Sequence, residues 1–509
     1  MELEKEGEPF GSENESTPLL PENRDETATE VPSNVELGFT LRRCMLLPVI
    51  LGYFLEGGMF MFLLPQYTQH VFKEKYTRHD QFSLNTTYNA CANVNQSDPE
   101  YQIYLKIQRE TAKWTIYYAI ASLVPTIVGN IVWASLSDIL GRKFVLYLTI
   151  AGAIVSIGSF ALVANYKLSL YYIIIGKVLD GLTGSYTAFL AMMFTYTCDI
   201  TVAGKSRTIA IVFMELLLGL TVTLASMYTG YFIEAAGFFW PSFMATCLLA
   251  AAFLILVIFV PETSGIQHQR GSQTEQLTAS ARVKRAMLST IEAFKFYFTN
   301  DSKVRRLKYI LLILGFLFLT IPYLNRGSME ILYQLGKPFC WSSRKIGWFA
   351  SLKISIASVF GVAGTYLLQR CMKDDIIAML GTAIGIASYV VEGFAHGSII
   401  WLVPVLSAPT GLPIPMIRSL MSALTPADKQ GALFASIGAV ETLCALIGSV
   451  SNNAIYSATL TIMNGFVFEI MAAFTLIGVI FLVAYIFVAR LMKDTDSRDD
   501  ITITVTADQ

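Results

Sequence analysis

Charge is scarce in this sequence. Asp, Glu, Lys and Arg make up 15% of its 509 residues while hydrophobic residues make up 54%, and a water-soluble core does not bury that much apolar side chain, so lipid must solvate part of it. The net charge of -1 identifies no partner, because the charges are segregated into the connections between long apolar runs. Histidine is rarer still: His70, His79, His268 and His396 all fall in loops or at the ends of apolar runs, so none offers a proton carrier inside one. The sequence has no G-x-x-x-x-G-K-[ST] run and no H-E-x-x-H, which argues against an ATP-driven pump and a zinc hydrolase. It also lacks the G-x-S-x-G elbow of a serine hydrolase. No enzyme is expected, and nothing calls for a cofactor, a metal or a nucleic-acid partner. The first 36 residues are acidic and polar without a basic n-region, so the first apolar run is expected to act as an uncleaved signal anchor.

What the sequence has in abundance is apolar stretches of membrane length. A span takes roughly 20 mostly apolar residues, because the hydrocarbon core is about 30 Å thick and a helix rises about 1.5 Å per residue. Twelve such stretches can be drawn, at 44–64, 114–136, 144–164, 169–196, 208–231, 239–260, 308–326, 346–368, 376–395, 398–420, 431–456 and 466–489. They must be helices, since backbone polar groups in lipid have to be paired within the span. The expectation is an all-α integral membrane protein in two six-helix bundles, 44–260 and 308–490, joined by a cytosolic loop at 261–307. An acidic cytosolic tail at 1–43 and a short one at 491–509 complete the layout.

Lysine and arginine set the orientation. Arg42, Arg43, Arg142, Lys143, Lys205, Arg207, Arg282, Lys284, Arg285, Arg305, Arg306, Arg370, Lys373, Arg490 and Lys493 all lie on one side, which makes that side and both termini cytosolic. The tryptophans agree: Trp114, Trp133, Trp240, Trp341, Trp348 and Trp401 fall near span ends, where an amphipathic indole belongs. The opposite side carries a long loop at 65–113 with two glycosylation acceptors, Asn85 and Asn95. The sequons at Asn14 and Asn300 lie on the cytosolic side and do not count. Cys91 in this loop and Cys340 in the next large outer connection share the oxidising side and can pair. Cys44, Cys198, Cys247, Cys371 and Cys444 sit within spans or at their inner ends as small packing residues.

One inner connection reads Ser137-Asp138-Ile139-Leu140-Gly141-Arg142-Lys143. Gly141 permits a tight turn, and Arg142 and Lys143 anchor it at the headgroups. A purely topological anchor is the bland reading, although the aspartate adds nothing to the positive-inside rule. The motif resembles the signature loop of the major facilitator superfamily, with two departures: Ala134 stands where a glycine is usual and Ile139 where a basic residue is. The second half's equivalent, Gln369-Arg370-Cys371, is degenerate. Asn89-Ala90-Cys91-Ala92-Asn93 through Asp98-Pro99, Leu332-Tyr333, Pro338-Phe339-Cys340-Trp341, Ile417-Arg418-Ser419 and Gln430-Gly431-Ala432-Leu433-Phe434-Ala435 together resemble solute carrier family 46, which includes the proton-coupled folate transporter. The resemblance runs from about residue 44 to 490. It implies a gating role for Asp138, Gly141, Arg142 and Lys143, a disulfide between Cys91 and Cys340, and alternating access between the two bundles.

Ionisable residues inside spans cost several kcal/mol in lipid unless they face a cavity or a partner. The candidates are Glu56, Lys177, Asp180, Glu215, Lys353, Arg418 and Glu441. Lys177 and Asp180 are spaced i, i+3 on one helix face, and an intramembrane ion pair that only satisfies itself is the favoured reading. Arg418 lies near an inner span end, where snorkelling to the headgroups would serve as well; its match to the family's Ile-Arg element implies substrate binding. A carboxylate withdrawn from water holds its proton more tightly. Glu215 matches the family's fifth-span proton-coupling glutamate, with a hydrogen-bonded packing role as the bland alternative, and Glu56 and Glu441 are alternates. Counting back from Cys340-Trp341, the folate transporter's seventh-span histidine is Tyr323 here, a side chain that hydrogen-bonds without titrating in the physiological range. That departure sets folate itself in doubt.

The expected function is proton-coupled symport of a small organic anion, folate-like or related. The alternatives are an endolysosomal exporter of muropeptides or other degradation products, and a non-transporting sensor with the same fold. Partners are the substrate, protons, the bilayer and a clathrin adaptor reading Glu15-Ser16-Thr17-Pro18-Leu19-Leu20, an acidic dileucine pattern carried by Glu15, Leu19 and Leu20. Location is the plasma membrane or the endolysosomal membrane.

Overall fold

The computed structural model describes residues 45–79, 99–200, 205–262, 284, 288, 303–425 and 430–507. Among them there is no strand, as backbone pairing in lipid requires. Ten helical segments are long and apolar enough to cross a membrane. The remaining two predicted spans are the eighth, Ser343–Val359 with a π turn at Phe360–Gly364 and the short helix Thr365–Cys371, and the eleventh, Gln430–Thr459.

Several helices outrun the predicted spans. The first runs Leu46–His79 through Pro65, and the second Pro99–Leu140, so much of the predicted loop 65–113 is helical. Hydropathy marks only the lipid-solvated turns, whereas helical hydrogen bonding continues into water where the side chains suit it. Here they do: Glu74 takes a salt bridge from Lys167 at 3.0 Å, and Lys113 pairs with Glu110 at 3.0 Å. The seventh span likewise extends over Lys303–Leu335, well beyond the predicted end at residue 326. The twelfth, Phe466–Ala507, continues into the predicted tail.

Other spans are broken. The fourth divides into Tyr171–Leu182 and Ser185–Ile200 at Gly184, whose φ of +89° is natural only for glycine. The indole of Trp133 on the second span donates to Leu182 O at 2.8 Å and caps the freed carbonyl. The tenth is assembled from Ile399–Leu402, Val403–Leu406, Ala408–Gly411 and Pro413–Leu424, because Pro404, Pro409 and Pro413 each remove a backbone donor.

The third, fifth, sixth and ninth spans are Arg142–Tyr166, Lys205–Ala236, Phe239–Phe259 and Asp374–Gly393. One apolar core, including Phe54, Phe160, Phe189 and Leu249, draws only on the first half; another, with Tyr309, Phe316, Ile417 and Leu433, draws only on the second. A third core joins the halves, bringing Phe62 and Tyr104 against Tyr333, Trp341 and Tyr456. It lies at the outer face, the one opposite the Gly141 turn. The halves meet chiefly through the fifth span on the eighth and the second on the eleventh.

Candidate functional site

The interface between the halves is tight toward the outer face. Ser226 and Ser351 hydroxyls meet at 2.7 Å, and Trp348 Nε1 donates to Tyr231 OH at 2.8 Å. Beyond them Arg344 bridges Glu234 at 2.9 Å. From the second span, Arg109 Nε donates to Ser457 O of the eleventh at 3.3 Å, and Tyr104 OH accepts from Lys337 N, in the connection after the seventh, at 2.8 Å. Polar side chains at these positions close the outer end without burying charge.

Toward the inner face the halves bring partly exposed charges together. Arg418 of the tenth span forms an ion pair with Glu441 of the eleventh, and both stay partly exposed, at 38% and 26% of their side chains. Glu215, from the fifth span of the other half, is exposed and within electrostatic reach of Arg418. Three residues far apart in sequence thus converge, each from a different span. Arg418 Nε is buried with no hydrogen-bond partner among the described residues, so the guanidinium retains donor capacity.

At mid-depth aromatic side chains pack in the buried core of the first half. Tyr53 stacks on Phe189 with centroids 3.7 Å apart. Tyr186 of the broken fourth span and Tyr323 of the seventh remain 42% and 39% exposed and stand within electrostatic reach of each other across the two halves, with Arg326 within reach of Tyr323. Behind them Lys177 Nζ lies 2.6 Å from Asp180 Oδ2, which also accepts from Ser185 Oγ at 2.8 Å. The Lys177 ammonium sits over the Phe60 ring at 5.1 Å, and Glu56, 7% exposed, faces both members of the pair.

The Gly141 turn is held within its own half. Gly141 has φ +97°, and its N–H donates to Ser137 O at 3.1 Å. The backbone N–H groups of Arg142 and Lys143 donate to Glu262 at 3.0 and 3.1 Å, so a carboxylate from the end of the sixth span caps the positive N-terminus of the third. Arg142 Nη1 donates to Ser137 Oγ at 2.6 Å, and Lys143 Nζ to Val257 O at 3.1 Å. The Asp138 side chain lies outside the described residues, as do Cys91, Asn85, Asn95, Glu15, Leu19 and Leu20. Cys340 is disulfide-bonded, while Cys247, Cys371 and Cys444 are free.

A buried cluster in the second half escaped the sequence reading. Arg326, 3% exposed, pairs with Glu330 at 2.9 Å and Glu392 at 2.7 Å, and Lys353 pairs with Glu330. The predicted seventh span ends at 326, so Glu330 falls outside it, while Arg326 and Glu392 lie within the predicted spans 308–326 and 376–395 and are not among the candidates. The i, i+4 spacing of Arg326 and Glu330 was the available signal.

A family model for the Major Facilitator Superfamily matches residues 46–449. The lysosomal proton-coupled steroid conjugate and bile acid symporter of Bos taurus is 28% identical over 445 residues, covering 86% of this chain and 95% of the relative. The proton-coupled folate transporter of Rattus norvegicus is 27% identical over 395 residues, 76% of this chain and 81% of the relative. Among solved structures, the human organic anion transporter MFSD10 (TETRAN) superposes with a TM-score of 0.57 at 15% identity, over 87% of this chain and 99% of that one.

Proposed function

This chain belongs to the Major Facilitator Superfamily and is a membrane transporter, and we propose that it couples proton movement to the symport of a small organic anion. The observation that carries the reading is the inner cluster of Glu215, Arg418 and Glu441. Arg418 has one carboxylate as ion-pair partner and a second within electrostatic reach, from opposite halves. An incoming anion competes with those carboxylates for the guanidinium. Protonating them removes the competition, so proton and anion favour each other's binding and the loaded carrier is closer to neutral when it reorients. The aromatic surfaces of Tyr186 and Tyr323 suit a substrate with an apolar body beside its anionic group. That fits the steroid conjugates and bile acids for which the bovine relative is named better than a purely polar anion, and Tyr323 in place of a histidine supports the same preference.

The experiment is uptake of a panel of radiolabelled steroid conjugates, bile acids, reduced folates and muropeptides into cells displaying the protein at their surface, at acidic and neutral pH. At least one organic anion should accumulate faster from acid. A set of anions all indifferent to pH and to Arg418→Ala would sink the reading.

A further inference from the structure

The cluster at Arg326 has no part in the mechanism above. It holds two cations and two anions from three spans, neutral if all are charged. Arg326 Nε donates at 2.9 Å to both Glu330 Oε1 and Glu392 Oε2, and Arg326 Nη2 donates to Ser388 Oγ at 2.7 Å. Lys353 Nζ engages the Glu330 oxygen that Arg326 already holds. Two buried atoms are left without a hydrogen-bond partner among the described residues, Glu392 Oε1 and Arg326 Nη1. A bare buried carboxylate oxygen costs stability, and a proton on Glu392 Oε1 would lessen that cost. The two carboxyl groups also stand within hydrogen-bonding reach of each other, an arrangement in which one proton is shared because neighbouring carboxylates resist double ionisation.

We propose that Glu392 and Glu330 form a proton-binding site of the second half, and that its occupancy turns the Lys353 ammonium into a docking charge for an anionic substrate. A hydronium ion gives its proton to Glu392 Oε1; an O–H bond forms, the bond to the departing water breaks, and the new O–H is shared toward Glu330. The cluster then carries one excess positive charge. Arg326, 3% exposed, remains locked among its partners, whereas Lys353 keeps 17% of its side chain accessible and is the member able to meet an anion. Anion binding restores neutrality, so the proton binds first.

Position fits this order. Glu392 is the penultimate residue of the ninth helix at its outer end, and Lys353 lies ten residues, roughly 15 Å, inside the outer start of the eighth. The site is therefore on the outer side of Glu215 and Arg418, where parting of the fifth and eighth spans would admit protons from the outer compartment. The groups facing Glu392 are Arg326, Glu330 and Tyr333 from the seventh span, Lys353 from the eighth, Tyr389 from its own helix and Glu469 from the twelfth, whose carboxylate lies against Gly393. The tenth-span run Ile399–Leu424 adds no ionisable residue there, its only one being Arg418 at the inner end.

Only the anion step rests on the symport reading; proton binding is tested without substrate. Infrared difference spectra, acid minus neutral, of the purified full-length protein in liposomes should show protonated carboxyl groups. Glu392→Gln and Glu330→Gln should each lose about one group's amplitude, because the proton is shared, while Glu215→Gln should keep that part. Wild-type amplitude in both quartet variants overturns the proposal. Should Glu392→Gln not fold, Glu330→Gln decides alone, and Lys353→Gln, at the accessible edge, gives a second reading. Lys353→Gln should reduce acid-driven uptake of a radiolabelled bile acid by about tenfold or more, and unchanged uptake overturns the docking role. Loss of pH dependence in Glu392→Gln but not in Glu215→Gln would leave this site standing and refute the inner proton site alone.

Discussion

At the scale of the residue, Arg418 and Glu215 should fail differently. Arg418→Ala removes the guanidinium of the inner cluster, and a charged hydrogen bond is worth about 1.5–3 kcal/mol, so half-saturation for the anion should rise on the order of 10- to 100-fold. Concentration series of uptake measure it. Glu215→Gln preserves shape and hydrogen bonding but cannot titrate, so accumulation driven by an imposed proton gradient should vanish while exchange of internal for external substrate persists. If gradient-driven uptake survives in full, the proton site lies elsewhere than Glu215, with Glu56 and Glu441 next in line. The Lys177–Asp180 pair is expected to serve stability: Asp180 is 1% exposed, and Asp180→Ala should strand a cation at a cost of about 3–5 kcal/mol. Thermal unfolding in detergent should fall sharply for that single change and recover in Lys177→Met/Asp180→Leu. An unaffected Asp180→Ala would mean that the pair is not structural.

At the scale of the element, the fifth and eighth spans act as the outer seal. Gly347 lets them touch: a Cβ built there would stand 2.6 Å from Ser226 O and 3.4 Å from the Gly230 Cα. Gly347→Val should wedge the seam, shifting the population toward states open to the outside. A thiol reagent added from the outer side should then label a cysteine reporter at Tyr231 several-fold faster than in the glycine form, and equal rates would show that the seam tolerates the wedge. Span periodicity could not have revealed this seam, because helices apolar all round give no preferred face. Small and hydroxylated residues at Thr223, Ser226, Gly230, Gly347, Ser351 and Ser355 were the visible trace, legible only once the two helices are known to be neighbours.

At the scale of the whole molecule, the halves are joined by more than packing. Cys340 is disulfide-bonded and belongs to the second half; with Cys91 of the first half as its partner, the bridge would span the two. After protease cleavage within 261–307 the fragments should co-migrate without reductant and separate with it, and Cys91→Ser should release them in either case. Sorting is also a property of the entire chain. Leu19→Ala with Leu20→Ala should move the protein from endolysosomes to the cell surface, and an unchanged distribution would make the dileucine match accidental.

Composition and hydropathy determined that this chain lives in lipid as a bundle of helices, because apolar length and backbone pairing in a bilayer leave no other solution for it. The turn at Gly141 and the scattered motifs pointed to the transporter family, since local sequence alone sets a tight basic turn. Tertiary structure decided which charges work together. Glu215, Arg418 and Glu441 come from three spans, and Arg326, Glu330, Lys353 and Glu392 from three others. Helix ends were lost for a related reason: hydropathy reports where lipid stops, not where the helix stops, so Glu330 was read as a loop residue when it lies one turn beyond Arg326. A charge in a membrane is explained by its partner, and the partner lies on another helix, beyond the reach of any window along the chain.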